Sequence, residues 1–158
     1  MFTFRALQQS YPVPTIAEQE IFRILGQMEK QPKFAWLKKT DWQNCKYRYC
    51  YAMNVENGVL GAFSMFHPDT LYIAEYYNSD FAQPIHKPRI YERILIDWVR
   101  LVAGTIVHEL YHRYQYMTMG KILYAVCCLP LVRQVLLEPK ATKIGEEADE
   151  IIRKMQST

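Results

Sequence analysis

One long apolar segment with three polar residues set into it places the strongest constraint on the fold. Residues 91–119 are apolar over more than half the circumference of a helix, so this helix must be buried on nearly all sides. His108, Glu109 and His112 interrupt the apolar surface. Because burying such groups costs free energy unless they are paired or bound to a metal, the sequence predicts a central helix whose polar residues share a specific partner.

The spacing of these residues indicates what the partner is. His108 and His112 are four residues apart and therefore lie on one face of a helix, close enough for both imidazoles to bind one metal ion. Glu109 points towards the same space. This HExxH pattern is typical of zinc hydrolases. The alternative is a pair of histidines whose ring nitrogens are satisfied by hydrogen bonds inside a buried helix.

A catalytic zinc site needs a third protein ligand and one open position. No histidine follows His112, and the later carboxylates are Glu138, Glu146, Glu147, Asp149 and Glu150. Glu138 and Asp149 share a small-residue face of the predicted final helix, whereas the other three point away from it. We expect Glu138 to be the ligand because it comes first, directly after an apolar segment. Asp149 or Glu146, or no third protein ligand, stay open as alternatives.

The pattern elsewhere predicts an α+β fold, in which a small twisted sheet of about three to four strands packs on the central helix. Periodicity and turn residues place the strands at Phe2–Gln8, Tyr47–Asn54, Val59–Phe66 and Thr70–Tyr76. The two middle strands are expected to form a hairpin through Glu56-Asn57-Gly58. The flanking helices are predicted to run from Thr15 to about Lys30, and from Pro139 to near Met155.

Two further details of the helices follow from the residues at their ends. Thr15 and Glu18 have the spacing of a capping box, in which the threonine side chain caps the first helix. Gly120 is placed to end the central helix. No internal repeat or linker interrupts the chain, so we expect one domain over residues 1–158.

Composition excludes several classes of partner and location. A net charge of +3 is too weak to indicate nucleic-acid binding. The first residues lack the pattern of a signal peptide, so we expect a cytoplasmic protein. The longest apolar run, Ile122 to Leu137, contains Pro130 and Arg133 and is shorter than the ~20 residues that a spanning helix needs. We therefore expect no transmembrane segment, although this run could face a membrane.

The order of these motifs resembles a known group of enzymes. His108 to His112, followed by Glu138-Pro-Lys-Ala and then Gly145-Glu-Glu-Ala-Asp, is similar to the active-site helix and glutamate helix of gluzincin metallopeptidases. The closest likeness is to small single-domain members of bacteria and phages, such as the minigluzincins, the SprT-like group and the ImmA/IrrE proteins. The resemblance covers about residues 59–150. It implies a zincin-like fold, a Zn²⁺ ion held by His108, His112 and Glu138, and a protein or peptide substrate.

The resemblance also implies where a substrate binds, because zincins place their substrate-binding edge strand where this chain has Val59–Phe66. Zinc lowers the pKa of its water to about 7, and Glu109 is the expected general base that removes a proton from it. A further donor usually stabilises the oxyanion. The candidates for that donor are Tyr111, Tyr114, Tyr116, Tyr124 and His86.

Three other functions compete with a zinc-dependent peptidase. One is a non-catalytic or latent zinc-binding module that acts as a sensor or binds a partner, although such a module has no need of Glu109. Another is a DNA-associated protease like the SprT-like proteins, but the chain has neither a basic tail nor a zinc ribbon. The last is a structural helical protein in which the motif is accidental. The sequence does not indicate the substrate or the oligomeric state.

Overall fold

The computed structural model describes residues 9–50, 53, 59–75 and 88–157. Within these ranges the chain has five α-helices and one mixed four-stranded sheet that share a hydrophobic core. The predicted α+β class is therefore confirmed, together with the small sheet and the central helix. The predicted strand Phe2–Gln8, the predicted turn Glu56-Asn57-Gly58 and His86 lie outside the described residues.

The elements follow one another in a simple order. The strands are β1 (Ser10–Pro12), β2 (Lys46–Cys50), β3 (Gly61–Phe63) and β4 (Thr70–Ala74). The helices are α1 (Thr15–Met28), α2 (Pro88–Met119), α3 (Lys121–Cys127), α4 (Pro130–Val132) and α5 (Glu138–Ser157). Short 3₁₀ segments occupy Pro32–Thr40 and Trp42–Asn44, and a π-helical turn occupies Arg133–Leu137. The HExxH residues lie in the second half of α2.

The strand order in the sheet is β1-β2-β4-β3, with β2 and β4 parallel and the outer pairs antiparallel. The predicted hairpin between Tyr47–Asn54 and Val59–Phe66 is therefore wrong, because β3 pairs with β4 instead. The burial pattern gives the physical reason. Every residue of β4 is buried, so this strand occupies an interior position with a neighbour on each side.

The strand β3 lies at the edge of the sheet, as expected for the segment Val59–Phe66. It also approaches α2 closely. A Cβ atom at Gly61 would lie 2.8 Å from Thr105 Cγ2 and 3.1 Å from Glu109 Cγ. A glycine is therefore needed where the edge strand passes the HExxH glutamate.

The first helix begins without the predicted capping box. The carbonyl of Pro14 accepts the N–H of Glu18 at 3.0 Å, which makes Pro14 the cap and Thr15 the first helical residue. No side-chain cap hydrogen bond is present. The threonine side chain stands one position too late in the helix to cap it.

The C-terminal helix does not start at Pro139 as predicted. Helical backbone continues from Pro130 through the π turn into α5, and the N–H of Glu138 bonds to the carbonyl of Arg133. A proline inside an α-helix removes one hydrogen bond and collides with the carbonyl four residues earlier. The wider π turn just before Pro139 accommodates this defect. Glu138 is consequently held within a continuous helical segment.

The helices α2 and α5 cross closely beside the HExxH residues. The buried stripe of α5 consists mostly of small residues, namely Ala141, Gly145, Ala148 and Ile152. At Gly145 an added Cβ would lie 3.1 Å from the Cβ of His108 and 3.2 Å from the carbonyl oxygen of Gly104. Small side chains therefore let the two helix backbones approach each other next to His108.

The central helix ends as predicted. Gly120 follows Met119 with a φ of 84°, a left-handed conformation that glycine adopts without strain. The amide of Gly120 still bonds to the carbonyl of Tyr116 at 3.0 Å. The chain then turns directly into α3.

No single helix among the described residues is long and apolar enough to cross a membrane. The helical segments Lys121–Cys127 and Pro130–Ser157 are long and apolar enough only when they are counted as one segment. They lie at 89° to each other.

Gly145→Ala tests whether the close helix crossing is needed. Alanine improves helix propensity by about 1 kcal/mol at either of two helical glycines, Gly145 and Gly26. An added Cβ at Gly26 meets only Trp42 at 4.0 Å, whereas Gly145 is already in tight contact. We expect the free energy of unfolding of Gly145→Ala to be lower than that of Gly26→Ala by roughly 1–3 kcal/mol. Urea denaturation measures the difference. Equal stabilities of Gly145→Ala and Gly26→Ala would show that the helix crossing can accommodate a Cβ atom at residue 145.

Candidate metal centre

Three side chains predicted as metal ligands come together at one point. Nε2 of His108 and Nε2 of His112 are 3.1 Å apart. Glu138 reaches both from α5, with Oε2 3.3 Å from Nε2 of His108 and Oε1 3.3 Å from Nε2 of His112. These three residues form a group that could hold a metal ion.

The donor atoms lie close enough together to share one metal ion. For metal–ligand bonds of about 2.0–2.1 Å, tetrahedral geometry places two ligand atoms roughly 3.3 Å apart. The two histidine nitrogens are 3.1 Å apart, and each lies 3.3 Å from a different oxygen of Glu138. One donor atom from each of the three residues lies within 4.8 Å of the other two. Two imidazoles and one carboxylate also form a donor set found in catalytic zinc sites, which keep a further position for water or substrate.

The group is closed on one side and open on the other. His112 is fully buried, whereas the side chains of His108 and Glu138 are 20% and 31% exposed. They border a cleft of about 490 Å³ between α2, α5 and the chain leading into β3. A molecule in the cleft can therefore reach the His108 and Glu138 side of the group.

The charges of the group are strongly coupled. Hydrogen bonds from His108, then His112 and Arg133, hold the pKa of the Glu138 carboxyl well below its usual range. Burial by itself would lower the pKa of His108, but the hydrogen bond with Glu138 and the charges of Glu109 and Glu138 raise it above its ordinary value. A proton on His108 thus competes with a metal ion for the same nitrogen, so metal affinity should fall as pH decreases.

Gln115 holds both sides of the group in place, a role that the sequence analysis missed. Its Oε1 lies 2.9 Å from Nδ1 of His112, and its Nε2 donates to the carbonyl of Leu137 at 3.2 Å. With Nδ1–H held by Gln115, the nitrogen of His112 that faces Glu138 is Nε2, which can bind a metal ion once it has released its proton. Leu137 directly precedes Glu138, so one side chain fixes a histidine tautomer and the position of the carboxylate helix. Gln115 lies three residues after His112 and therefore on the same side of the helix, and this spacing could have indicated the contact.

Glu109 lies beside the ligands. Its Oε1 is 3.9 Å from Nε2 of His108, and the residue is buried and lines the cleft. Its Oε2 is buried without a hydrogen-bond partner among the residues that the structure describes. An unpaired buried carboxylate oxygen at this place fits a group that accepts a proton from a reacting molecule.

Arg133 is a second residue that sequence reasoning missed. Its Nε donates to Oε1 of Glu138 at 2.7 Å, and its side chain lines the cleft. Residues five apart do not share a face in a regular α-helix, so helical periodicity gave no reason to pair them. The π turn between them brings the two side chains together.

The other candidate ligands lie elsewhere. Oδ1 of Asp149 accepts the N–H of Gly104 at 3.1 Å, at the far end of the cleft from Glu138 along α5. Glu146 also lines the cleft, which corrects the expectation that it points away from this side. Neither residue belongs to the group that could hold a metal.

The tyrosines expected as oxyanion donors are used in packing. Tyr111 and Tyr114 pack against Trp36 with ring centroids 5.0 and 5.6 Å away. Tyr116 and Tyr124 lie 5.8 and 5.9 Å from the ring of Phe63. None of the four tyrosines is among the described residues that line the cleft. Arg133 is the cationic donor at this site.

Comparison with known proteins adds no assignment. No protein-family model, no curated protein and no solved structure matches this chain. The likeness to zincins consequently depends on the residues and distances given above.

Removing a ligand should remove the metal site. His108→Ala, His112→Ala and Glu138→Ala should each weaken zinc binding by more than the roughly 10–100-fold that loss of an outer partner costs. Glu147→Ala is the matched control, since its carboxylate pairs with Lys33 at 2.8 Å outside the group. Titration against a chromophoric zinc chelator measures the affinities. Stoichiometric zinc in the double histidine variant would refute the site.

Gln115 should affect affinity without contacting the metal. Gln115→Leu removes the acceptor for Nδ1–H of His112, so zinc affinity should fall roughly 10–100-fold. Gln115→Glu keeps that acceptor and should retain more of the affinity. Melting temperatures of the metal-free proteins separate this effect from loss of fold. Equal zinc affinities for the leucine and glutamate variants would show that Gln115 has no orienting role.

Proposed function

We propose that this protein is a zinc-dependent peptidase of the gluzincin type, with a zincin-like fold. His108, His112 and Glu138 hold the zinc ion, and Glu109 is the general base. The observation that carries the proposal is the cluster of two histidine nitrogens 3.1 Å apart, each 3.3 Å from one oxygen of Glu138. Beside this cluster lies a buried glutamate whose Oε2 has no described partner.

The choice of zinc follows from the donor atoms. Two imidazole nitrogens and one carboxylate suit zinc and related transition metals, whereas Mg²⁺ and Ca²⁺ prefer oxygen ligands alone. His112 is oriented by a second partner, Gln115, as metal-binding histidines usually are. Zinc bound there supplies a water of pKa about 7 and polarises the carbonyl of the substrate.

The residues of the chain perform the proton transfers. Glu109 removes a proton from the attacking water through its buried carboxylate and later passes it to the leaving amine. Arg133 has N–H donors besides the one that binds Glu138, and it lines the same cleft. We assign to it stabilisation of the charge that develops on the carbonyl oxygen.

The edge strand supports a protein or peptide as the substrate. Among the residues that the structure describes, β3 pairs with β4 along one side only, so its other side offers backbone groups to an added strand. Val59, Leu60 and Gly61, at the start of this strand, line the cleft together with His108 and Glu109. An extended peptide added to β3 would pass directly over the proposed general base.

A latent or non-catalytic zinc-binding module is the second candidate, and one contact favours it. Oε1 of Glu138, which faces His112, also accepts a hydrogen bond from Arg133 at 2.7 Å. Arg133 therefore competes with a metal ion for this oxygen. A partner or substrate that draws Arg133 away would then activate the site.

Glu109→Gln distinguishes these two functions. The amide keeps the shape of the side chain but cannot act as a base, so zinc content and melting temperature should be unchanged. Hydrolysis should fall by roughly 10²–10⁴. Cleavage of a peptide library by purified protein, analysed by mass spectrometry, measures the effect. Glu147→Gln is the control and should cleave like the parent protein.

Two outcomes contradict the peptidase proposal. Undiminished cleavage by Glu109→Gln would exclude Glu109 as the base. Absence of cleavage by the parent protein, with zinc bound at full occupancy, would favour the latent or non-catalytic module.

A further inference from the structure

A large apolar surface lies next to the metal centre. It is formed by α3, α4 and the π turn, and we call it the α3–α4 surface. Its exposed members are Ile122, Leu123, Val126, Leu129, Leu131, Val135 and Leu136. Ile122 is 84% exposed, Leu131 79% and Val135 72%. Seven strongly exposed aliphatic side chains between residues 122 and 136 indicate a surface that binds something.

The α3–α4 surface lies on a segment that is anchored in the core by a few buried side chains. Tyr124 and Cys127 of α3 are buried in the core, and Leu137 at the end of the π turn is fully buried. Because these inward residues anchor the segment, the aliphatic residues between them are held outward. The segment is thus apolar on both sides, a pattern found where the outer side meets protein or lipid.

Along the sequence, the charged residues within and beside the α3–α4 surface are basic, apart from Glu138. No Asp or Glu occurs between Leu110 and Leu137. Exposed lysines border the surface at both ends, Lys121 beside Ile122 and Lys140 one helical turn after Leu136. The first carboxylate after the surface, Glu138, contacts His108, His112 and Arg133.

Exposed aliphatic side chains bordered by lysines favour one kind of binding partner for the α3–α4 surface. A second copy of the chain, docked face to face, would place a lysine-bordered apolar surface against another of the same charge. A bilayer with anionic headgroups satisfies both features, because aliphatic side chains enter the headgroup–acyl boundary while lysines remain among the phosphates. The 89° bend between the helical segments Lys121–Cys127 and Pro130–Ser157 leaves exposed Leu129 at their junction, as in an element that enters one leaflet.

We propose that the α3–α4 surface docks the protein on an anionic phospholipid bilayer. The surface ends at Arg133 and Glu138, so docking holds the metal centre near the membrane. The inference goes beyond the proposed peptidase and requires neither zinc nor hydrolysis.

Vesicle flotation of the full chain tests the proposal. The vesicles are phosphatidylcholine alone, or phosphatidylcholine with about one third phosphatidylglycerol. We expect binding to the anionic vesicles, weakened by salt. The double substitution Leu131→Asp/Val135→Asp should lower this affinity roughly tenfold or more, since charge replaces inserted aliphatic groups. Lys121→Gln and Lys140→Gln should each lower it about fivefold on anionic vesicles.

Leu101→Asp is the matched control. Leu101 is 67% exposed on α2 and lies about 27 Å along the helix axis from Met119, so its substitution should leave vesicle binding unchanged. The proposal is overturned if the parent chain does not bind anionic vesicles, or if Leu131→Asp/Val135→Asp binds them as tightly as the parent does. It is also overturned if sedimentation shows a dimer that this double substitution dissociates, which would assign the surface to a second copy. Each of these results leaves the peptidase proposal standing.

Discussion

The close crossing of α2 and α5 is the constraint on which the site depends. An ordinary side chain at Gly145 would press on His108 and on the backbone at Gly104. With glycine there, the helices approach until Glu138, two turns earlier in α5, meets His108 and His112. The Gly104 amide donates to Asp149 and adds a polar contact along the crossing. A wider separation would leave two histidines on one helix and a carboxylate on another, without a common centre.

The polar groups in this apolar helix are arranged so that each ligand is oriented by a neighbour. His112 is fully buried, yet Gln115 and Glu138 contact its two ring nitrogens. Glu138 is bound by both histidines and by Arg133, which keeps it ionised. Oε2 of Glu109 is the exception, because no described residue binds it. The structure thus orients the three residues that could hold a metal and leaves one carboxylate oxygen of Glu109 without a described partner, which fits the role of general base proposed for it.

The segment between α2 and α5 contributes buried residues to the core and exposed aliphatic residues to the surface. Its inner residues, Tyr124 and Leu137, close the core beneath the metal centre, and its outer residues are exposed aliphatic side chains. The π turn links the two, since it places Arg133 in contact with Glu138 and accommodates Pro139 in the same helical segment. The same turn therefore accommodates Pro139 and brings Arg133 to Glu138.

The sequence by itself determined what depends on spacing within one element. The four-residue interval of His108 and His112, the glycine that ends α2 and the apolar run that buries it are local properties, and the structure has them as expected. The choice of Glu138 as third ligand stays a prediction, and the structure brings its carboxylate to 3.3 Å from both histidines. The partnership of β3 with β4, the contact of Arg133 with Glu138 and the link from Gln115 to Leu137 were decided only by the tertiary structure. Strand pairing depends on which strand is buried on both sides, and a π turn shifts the helical phase, so neither follows from the periodicity of a single segment.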